Sequence, residues 1–289
     1  MFRLGIDFGG TTIKAGITDS DFNIVHRHTI NSNANNTENE TINELSHLCK
    51  LMQEFQNYET IGIGIPGLVN PKDGLIKNAP NLNLKNVYIK KELEKAINVP
   101  IFIDNDANCA ALAEHKKGAG KQLVNSVTIT LGTGIGGGII INNQIFRGSF
   151  FDAGEFGHMI IELGGRACGC GKFGHWEAYS SASALEKACK MPVKKLFDGL
   201  RQGAYLEQSF VQEYFSSLCA GLANIIYILS PDAIIIGGGL SNAGDILLDL
   251  INAEIKNHIF GELNTQIRLA KLGNDAGIIG ASMLGLGGN

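Results

Sequence analysis

Alternating apolar and polar positions predict three strands near the start of the chain. Apolar residues alternate over residues 2–7, and β-branched side chains are frequent in Thr12–Thr18 and in residues 24–30. Gly9 and Gly10 separate the first two segments. Glycine adopts backbone conformations that tight turns need. The pattern therefore predicts an antiparallel meander whose first turn is glycine-rich.

Apolar residues at helical spacing follow this meander up to residue 55, and Thr37 or a nearby Asn is suited to cap the helix they predict. Over residues 61–65 Ile alternates with Gly and leads into Pro66-Gly67, which indicates a buried strand and a tight turn. A loop with polar tips is expected from there through Asn81.

A second strand–glycine–strand pattern appears later in the chain. Residues 101–103 predict a short strand that leads into an Ala-rich helix reaching about residue 117. Residues 127–131 predict a strand, residues 132–138 a glycine turn and residues 139–141 the returning strand. Because this repeats the shape of the first hairpin, the pattern favours two halves with a cleft between them.

The remaining pattern completes an α/β chain. Helices are predicted to dominate residues 179–229, and a buried strand over residues 233–236 ends in a glycine run. Two further helices are expected near residues 244–258 and 275–284.

Composition narrows the function classes. The chain has 289 residues, of which 44% are apolar and 18% charged, with a net charge of −4. It lacks the basic excess of a nucleic-acid binder and any apolar run of the roughly 18 residues that cross a bilayer. We therefore expect a cytoplasmic protein that binds small molecules, without nucleic acid or a membrane as partner. Disulfides are not expected there, and four of its 6 cysteines fit buried helical positions.

Three glycine-rich turns are candidate phosphate sites, because their backbone N–H groups can point at an anion. The first offers two hydroxyls, an ammonium and a carboxylate suited to Mg²⁺ as well. No Walker lysine motif and no dinucleotide-binding glycine fingerprint is present, so neither of those folds is supported. The residues of the three turns are Asp7, Gly9, Gly10, Thr11, Thr12 and Lys14; Thr133 and Gly134; and Gly238 and Gly239.

Several carboxylates leave more than one interpretation open from the residues alone. Asp106, in Asp104-Asn105-Asp106, is equally suited to accept a proton from a hydroxyl and to cap a helix. Glu155 and Glu177 flank a Cys-rich segment, where they suit metal ligation, sugar binding or a charged surface.

These motifs, taken in order, resemble the ROK sugar kinases of the actin-like ATPase superfamily. Residues 7–14, 131–138 and 237–240 are similar to the family's phosphate and adenosine motifs, and Asn105-Asp106 to its catalytic pair. Glu155-Phe-Gly-His158 and the segment from Cys168 to Glu177 resemble its sugar and zinc segments. The chain begins directly with the phosphate strand, so it looks like a kinase of the family rather than a helix-turn-helix repressor.

The resemblance implies an α/β fold of two actin-like, ribonuclease H-like domains with a hinged central cleft. The smaller domain is expected to comprise residues 1–117 plus 275–289, and the larger one residues 118–274. A homodimer or homotetramer is implied by analogy alone.

The resemblance also implies residue roles. Asp106 would be the general base, and sugar contacts would come from Gly67, Asn81, Asn105, Asp106, Glu155, His158 and Glu177. A structural zinc ion would bind His158, Cys168, Cys170 and His175, with His175 standing where the family usually has a third cysteine. His158 would use one ring nitrogen for zinc and the other for sugar.

The implied reaction is phosphorylation of a hexose 6-hydroxyl by ATP with Mg²⁺, with glucose as the first choice of sugar. N-acetylmannosamine, N-acetylglucosamine, fructose, allose and a β-glucoside are alternative substrates within the same class. Two other classes stay open at this point: a sugar-sensing regulator and an actin-like filament or chaperone ATPase. Asp106 and Lys14 count against the regulator. Glu155, His158 and Glu177, the residues expected on the sugar side, count against the filament or chaperone ATPase.

Overall fold

The computed structural model describes residues 1–33 and 35–286. The predicted smaller domain, residues 1–117 plus 275–289, includes residue 34 and residues 287–289, which lie outside the described residues. Among the described residues, no helix combines the length and the hydrophobicity that crossing a bilayer requires.

The described chain forms an α/β structure, as predicted. Its strands are β1 (Arg3–Phe8), β2 (Thr12–Thr18), β3 (Ile24–Asn31), β4 (Ile61–Ile65), β5 (Leu68–Asn70), β6 (Leu75–Ala79), β7 (Leu84–Val87), β8 (Ile101–Asn105), β9 (Ser126–Leu131), β10 (Ile135–Ile141), β11 (Gln144–Ile145), β12 (Ala233–Gly237) and β13 (Gln266–Leu269). Its helices are α1 (Glu38–Phe55), α2 (Ile89–Glu94), α3 (Asp106–Lys116), α4 (Glu177–Ser180), α5 (Ala182–Cys189), α6 (Val193–Arg201), α7 (Ser209–Leu229), α8 (Asp245–Glu254) and α9 (Ala276–Ser282).

Two five-stranded sheets share one topology. Their strand orders are β3-β2-β1-β4-β8 and β11-β10-β9-β12-β13. In each sheet the first three strands in sequence pair antiparallel, and the last two add in parallel. The predicted repetition of a strand–glycine–strand unit is therefore confirmed and extends to a whole sheet.

The Ile-Gly alternation in β4 explains how a helix from the end of the chain reaches the first sheet. Ile61, Ile63 and Ile65 are fully buried among apolar neighbours. Between them Gly62 leaves no side chain, and an added Cβ would collide with the Ala281 carbonyl oxygen of α9. The strand thus packs side chains on one face and backbone against α9 on the other.

Local sequence signals fix α1 as expected. Thr37 is its N-cap: the hydroxyl accepts from the Glu40 N–H at 3.4 Å, and the Glu40 carboxylate accepts from the Thr37 N–H at 2.7 Å. This reciprocal pair satisfies two backbone donors that the first helical turn would otherwise leave free.

Two of the stretches in which the structure differs from the predicted elements lie near the candidate site. The glycine turn expected over residues 132–138 is shorter, because residues 135–138 continue β10 and pair with β9. The loop expected through Asn81 contains most of a three-stranded antiparallel sheet, β5-β6-β7. Short strands with polar residues carry too few periods of alternation to be distinguished from loops by pattern alone.

Helices α3 and α9 each follow the last strand of one sheet and pack beside the other sheet. Gly138 of β10 lies against Ala111 of α3, and Gly5 of β1 lies against Ile278 of α9. The two helices also contact each other, with Gly280 against the Cys109 carbonyl. Residues 276–282 are thus brought to the first sheet, while the division into two domains stays a prediction.

Candidate active site

The junction of β8 and α3 positions Asp106. Asn105 is the N-cap of α3, and its Oδ1 accepts from the N–H groups of Ala107 and Asn108 at 2.8 and 3.1 Å. Its Nδ2 donates to the Gly67 carbonyl oxygen at 3.0 Å. The side chain of Asn105 is therefore engaged in the fold on both its oxygen and its nitrogen, and Asp106 is the first helical residue.

Asp106 has an unusually basic carboxylate for an aspartate. Burial, followed by the negative charge of Asp7, raises the pKa of Asp106 to about 6, although its Oδ1 accepts from the Ala107 N–H at 2.8 Å. A group with a pKa just below neutral is ionised at pH 7 and accepts a proton more readily than an ordinary carboxylate. Its environment suits a general base.

A cavity of about 340 Å³ opens in front of this junction. Its walls include all of the residues predicted from resemblance to contact a sugar: Gly67, Asn81, Asn105, Asp106, Glu155, His158 and Glu177. The volume lies in the range of about 300–1,000 Å³ usual for small-molecule sites. The structure thus brings together residues from five separate stretches of sequence, while their contact with a sugar stays a prediction. We call this space the sugar-side cavity.

A second cavity of about 210 Å³ adjoins the first, and Asp106 and Gly238 lie on the walls of both. It also contains Asp7 and Lys14, whose carboxylate and ammonium are 3.5 Å apart. Burial raises the pKa of Asp7, and the neighbouring ammonium opposes that shift. We call this space the phosphate-side cavity, since the Lys14 ammonium of the first glycine motif lies on its wall.

A third cavity, of about 600 Å³, continues from the second glycine turn between helices α5 and α6. Thr133 lies on its wall together with Gly239, and the helices contribute Lys194, Phe197 and Arg201. Sequence reasoning missed these helical residues, because they form no motif. The only signal that marks them is the amphipathic spacing of α6, which indicates packing and not binding.

Part of the first glycine motif lies away from these cavities. Among the described residues, Gly9, Gly10, Thr11 and Thr12 do not line any of the three. The Gly9 N–H instead donates to the Thr12 carbonyl at 2.9 Å and closes the hairpin turn. Their contact with a phosphate stays a prediction.

The four predicted metal ligands form one cluster. The candidate ligand atoms of His158, Cys168, Cys170 and His175 all lie within 4.8 Å of one another. His175 Nδ1 is 3.3 Å from His158 Nδ1 and 3.2 Å from Cys170 Sγ. The edges of a tetrahedral zinc site with such ligands measure about 3.4–3.8 Å, given the usual Zn–N and Zn–S bond lengths. Two thiols and two imidazoles at this spacing therefore fit a zinc ion.

His158 faces the metal cluster and the sugar-side cavity at once. Its Nδ1 points to His175, while its Nε2 lies 3.9 Å from the Glu155 carboxylate on the cavity wall. A metal held at Nδ1 would fix the ring and leave Nε2 as the hydrogen-bonding nitrogen.

Glu177 links the metal segment to the second glycine hairpin. One of its carboxylate oxygens accepts from the Ile135 N–H at 2.9 Å, and the other lies 3.8 Å from Cys168 Sγ. The adjacent Trp176 is fully buried, and its indole N–H donates to the Ser217 carbonyl of α7 at 3.0 Å. Glu177 and Trp176 thus connect the metal segment to the second hairpin and to α7.

Comparison with known proteins places this geometry in context. The sequence model of a protein family, described as the ROK family, matches residues 3–287 of this chain. A glucokinase of Streptomyces coelicolor is 34% identical, with 97% of this chain and 96% of that protein aligned. A xylose repressor of Bacillus subtilis is 33% identical over 98% of this chain and 76% of its own length.

A solved structure extends the likeness to three dimensions. A ROK family glucokinase of Streptomyces griseus, in complex with glucose and AMPPNP, has 32% identity and a TM-score of 0.86. That comparison covers 98% of this chain and 99% of the other.

Proposed function

This chain belongs to the ROK family, and we propose that it is an ATP-dependent hexose kinase that phosphorylates the 6-hydroxyl of glucose. The observation that carries the proposal is the position of Asp106. Its carboxylate lies on the wall between the sugar-side cavity and the phosphate-side cavity. The names of the Streptomyces relatives support glucose as the sugar.

In this reaction Asp106 accepts the proton of the sugar hydroxyl as that oxygen attacks the γ-phosphorus of ATP. The bond from the γ-phosphorus to the bridging oxygen breaks, and ADP leaves with that oxygen. General-base assistance of this kind contributes about 10²–10⁴-fold in rate. The raised pKa of Asp106, about 6, makes it a better proton acceptor than an ordinary aspartate.

In this proposal Lys14 neutralises charge on the transferred phosphoryl group, and the second and third glycine turns help to hold it. The Lys14 ammonium lies on the wall of the phosphate-side cavity. Thr133, in the turn of the second hairpin, and Gly238, which follows β12, lie on the wall of the adjoining sugar-side cavity. Phosphoryl transfer depends chiefly on such positioning and charge neutralisation. The Asp7 carboxylate fits Mg²⁺, which prefers oxygen ligands and supplies charge neutralisation at the phosphates when bound.

The test is a coupled assay of ADP release with ATP and Mg²⁺ across glucose, N-acetylmannosamine, N-acetylglucosamine, fructose, mannose and allose. We expect the highest kcat/KM for glucose and none for 6-deoxyglucose, which lacks the reacting hydroxyl. Turnover that persists with 6-deoxyglucose contradicts the assigned hydroxyl, and a higher kcat/KM for another sugar replaces the substrate.

A second candidate function is a sugar-sensing regulator, which the likeness to the Bacillus xylose repressor favours. The two functions differ in one measurement. Sugar binding by calorimetry without ADP release for any sugar identifies a sensor, whereas turnover identifies a kinase.

We also propose that His158, Cys168, Cys170 and His175 hold a structural zinc ion that shapes the sugar-side wall. Cys168→Ser should remove bound zinc, as measured by metal analysis, and weaken sugar binding more than nucleotide binding. Loss of a thiolate ligand should weaken metal binding by more than the roughly 10–100-fold that is typical when only a residue supporting a ligand is changed. Cys49→Ser is the control, since that buried thiol lies outside the cluster. Full zinc content in Cys168→Ser would contradict the ligand set.

A further inference from the structure

A buried ion pair lies directly behind the proposed catalytic base. Arg147 donates through Nε and Nη2 to one oxygen of Asp104 at 2.8 and 2.6 Å. The Asp104 side chain is 1% exposed and that of Arg147 13% exposed. Both nitrogens converge on a single carboxylate oxygen, so the guanidinium is held in one orientation.

The other oxygen of Asp104 holds the start of α3. It accepts from the Asn105 N–H at 2.8 Å and from the Asn108 Nδ2 at 2.9 Å. Asn105 in turn caps the helix at the N–H groups of Ala107 and Asn108. A continuous series of hydrogen bonds therefore runs from the Arg147 guanidinium to the backbone on both sides of Asp106.

Arg147 is also the first residue of a loop that leads to the sugar-side wall. Its carbonyl oxygen accepts from the Ala153 N–H at 3.1 Å, which closes residues 147–153 into a compact loop. Glu155 and His158 follow that loop directly and line the sugar-side cavity. The Arg147 side chain thus contacts the β8–α3 junction that carries Asp106. Its backbone carbonyl closes the loop that leads to Glu155 and His158 on the wall of the sugar-side cavity.

We propose that Arg147 is a positioning residue that sets the catalytic junction around Asp106 and the sugar-side segment after residue 153 at a fixed distance, acting through Asp104. This inference rests on the proposed kinase function. A displacement of about 1 Å between reacting groups lowers rates by about 10²-fold, so the ion pair should affect chemistry and sugar binding together. Nucleotide binding should change little, because neither residue lines the phosphate-side cavity or the α5–α6 cavity.

The test uses Arg147→Lys and the double variant Asp104→Asn/Arg147→Gln. The double variant removes both charges, so it avoids an unpaired buried carboxylate that would unfold the protein. We expect a loss of about 10²-fold in kcat/KM for the hexose in the double variant, with kcat lower and sugar KM higher, and ATP KM within twofold. Arg147→Lys should fall between this variant and the wild type, since it keeps the charge and loses the two-nitrogen geometry.

The control is Arg27→Gln, which removes another Arg–Asp pair, between β3 and Asp275, at an exposed site. It should leave all kinetic constants within twofold. Unchanged hexose kinetics in the double variant overturn the proposal. So does an equal rise in the KM of ATP and of hexose, which would indicate a general loss of structure.

Amide hydrogen exchange separates this inference from the proposed function. In the double variant the Asn105, Ala107 and Asn108 amides should exchange at least about tenfold faster, while amides in β9 keep their rates. This readout needs no activity. If the wild type phosphorylates no hexose, the proposed function fails while the exchange result still tests the positioning role, and unchanged exchange at these amides overturns it.

Discussion

The hairpins β1–β2 and β9–β10 have the same topology and carry different chemistry. In the first, Asp7 and Lys14 are cross-strand partners whose side chains meet in the phosphate-side cavity. The second has no charged residue between Ser126 and Ile141, and two of its glycines, Gly136 and Gly138, lie against α3. Both hairpins use glycines to approach a helix closely, since Gly5 of the first lies against α9, but only the first hairpin contributes charge. Duplication of a fold therefore does not predict duplication of a site.

The largest effect should come from Asp106→Asn, which removes the carboxylate adjacent to both hairpins. We expect kcat to fall by about 10²–10⁴-fold, because the amide accepts no proton at neutral pH. The pKa of Asp106 is raised to about 6, so its charge destabilises the fold at neutral pH. Since each pKa unit is worth about 1.4 kcal/mol, the variant should gain up to about 3 kcal/mol in urea unfolding.

Asp249→Asn is the control for that variant, because this carboxylate is exposed on α8. It should change neither the rate nor the stability. An Asp106→Asn protein with wild-type kcat would refute the assignment of the base.

Lys14→Met tests the charge of the first hairpin. We expect a loss of about 10²-fold in kcat/KM for ATP, a size typical of removing one group that stabilises developing charge. Stability should change by less than about 1 kcal/mol, since partly exposed ion pairs contribute little. Lys85→Met, at an exposed position, should show neither effect. A large loss of stability with unchanged ATP kinetics would contradict the proposed role of Lys14 at the phosphates.

Gly138→Ala tests close approach in the second hairpin. An added Cβ would lie 2.5 Å from the Ala111 Cβ and 2.8 Å from the Ala107 carbonyl oxygen. Overpacking of this kind typically costs about 1–3 kcal/mol, which chemical denaturation would measure. Gly132→Ala in the same hairpin is the control for stability, because nothing lies within 4 Å of its Cβ position. Equal stability of the two variants would show that α3 moves aside freely.

The smallest effect is the pH dependence at the base. As pH falls below about 6 Asp106 becomes protonated, so kcat/KM should fall about tenfold per pH unit. The free energy of unfolding changes with pH in the opposite direction to the activity. The folded pKa exceeds the unfolded one, so this group's contribution to the free energy of unfolding decreases as pH rises from about 4 to about 6. Activity that stays level down to pH 5 would contradict the assignment.

Much of the fold was predictable because its signals are local. The Thr37 cap, the Ile-Gly strand β4 and the Ala-rich helix α3 each follow from a few adjacent residues. The strand β13 was not predicted, since its Gln-Ile-Arg-Leu sequence is too short for a clear alternation. Its assignment depends on pairing with β12, which only the folded chain shows.

Part of the candidate site was likewise predictable from local sequence signals, and part was not. Glycine turns and Cys-x-Cys spacing are visible in sequence, and the structure brings the four predicted metal ligands together. Arg147 carries no motif, and its partner Asp104 lies 43 positions away in the chain. Residues that act through a buried long-range contact cannot be identified from spacing along one sequence.

The packing of α9 has a consequence for synthesis on the ribosome. The strands of the first sheet are complete once residue 105 has been made, whereas the helix that covers Gly5 and Gly62 begins at residue 276. At about 5–20 residues per second, that face stays uncovered for roughly 10–35 s of translation. During this interval the face of the first sheet that carries Gly5 and Gly62 lacks the helix that covers it in the folded chain.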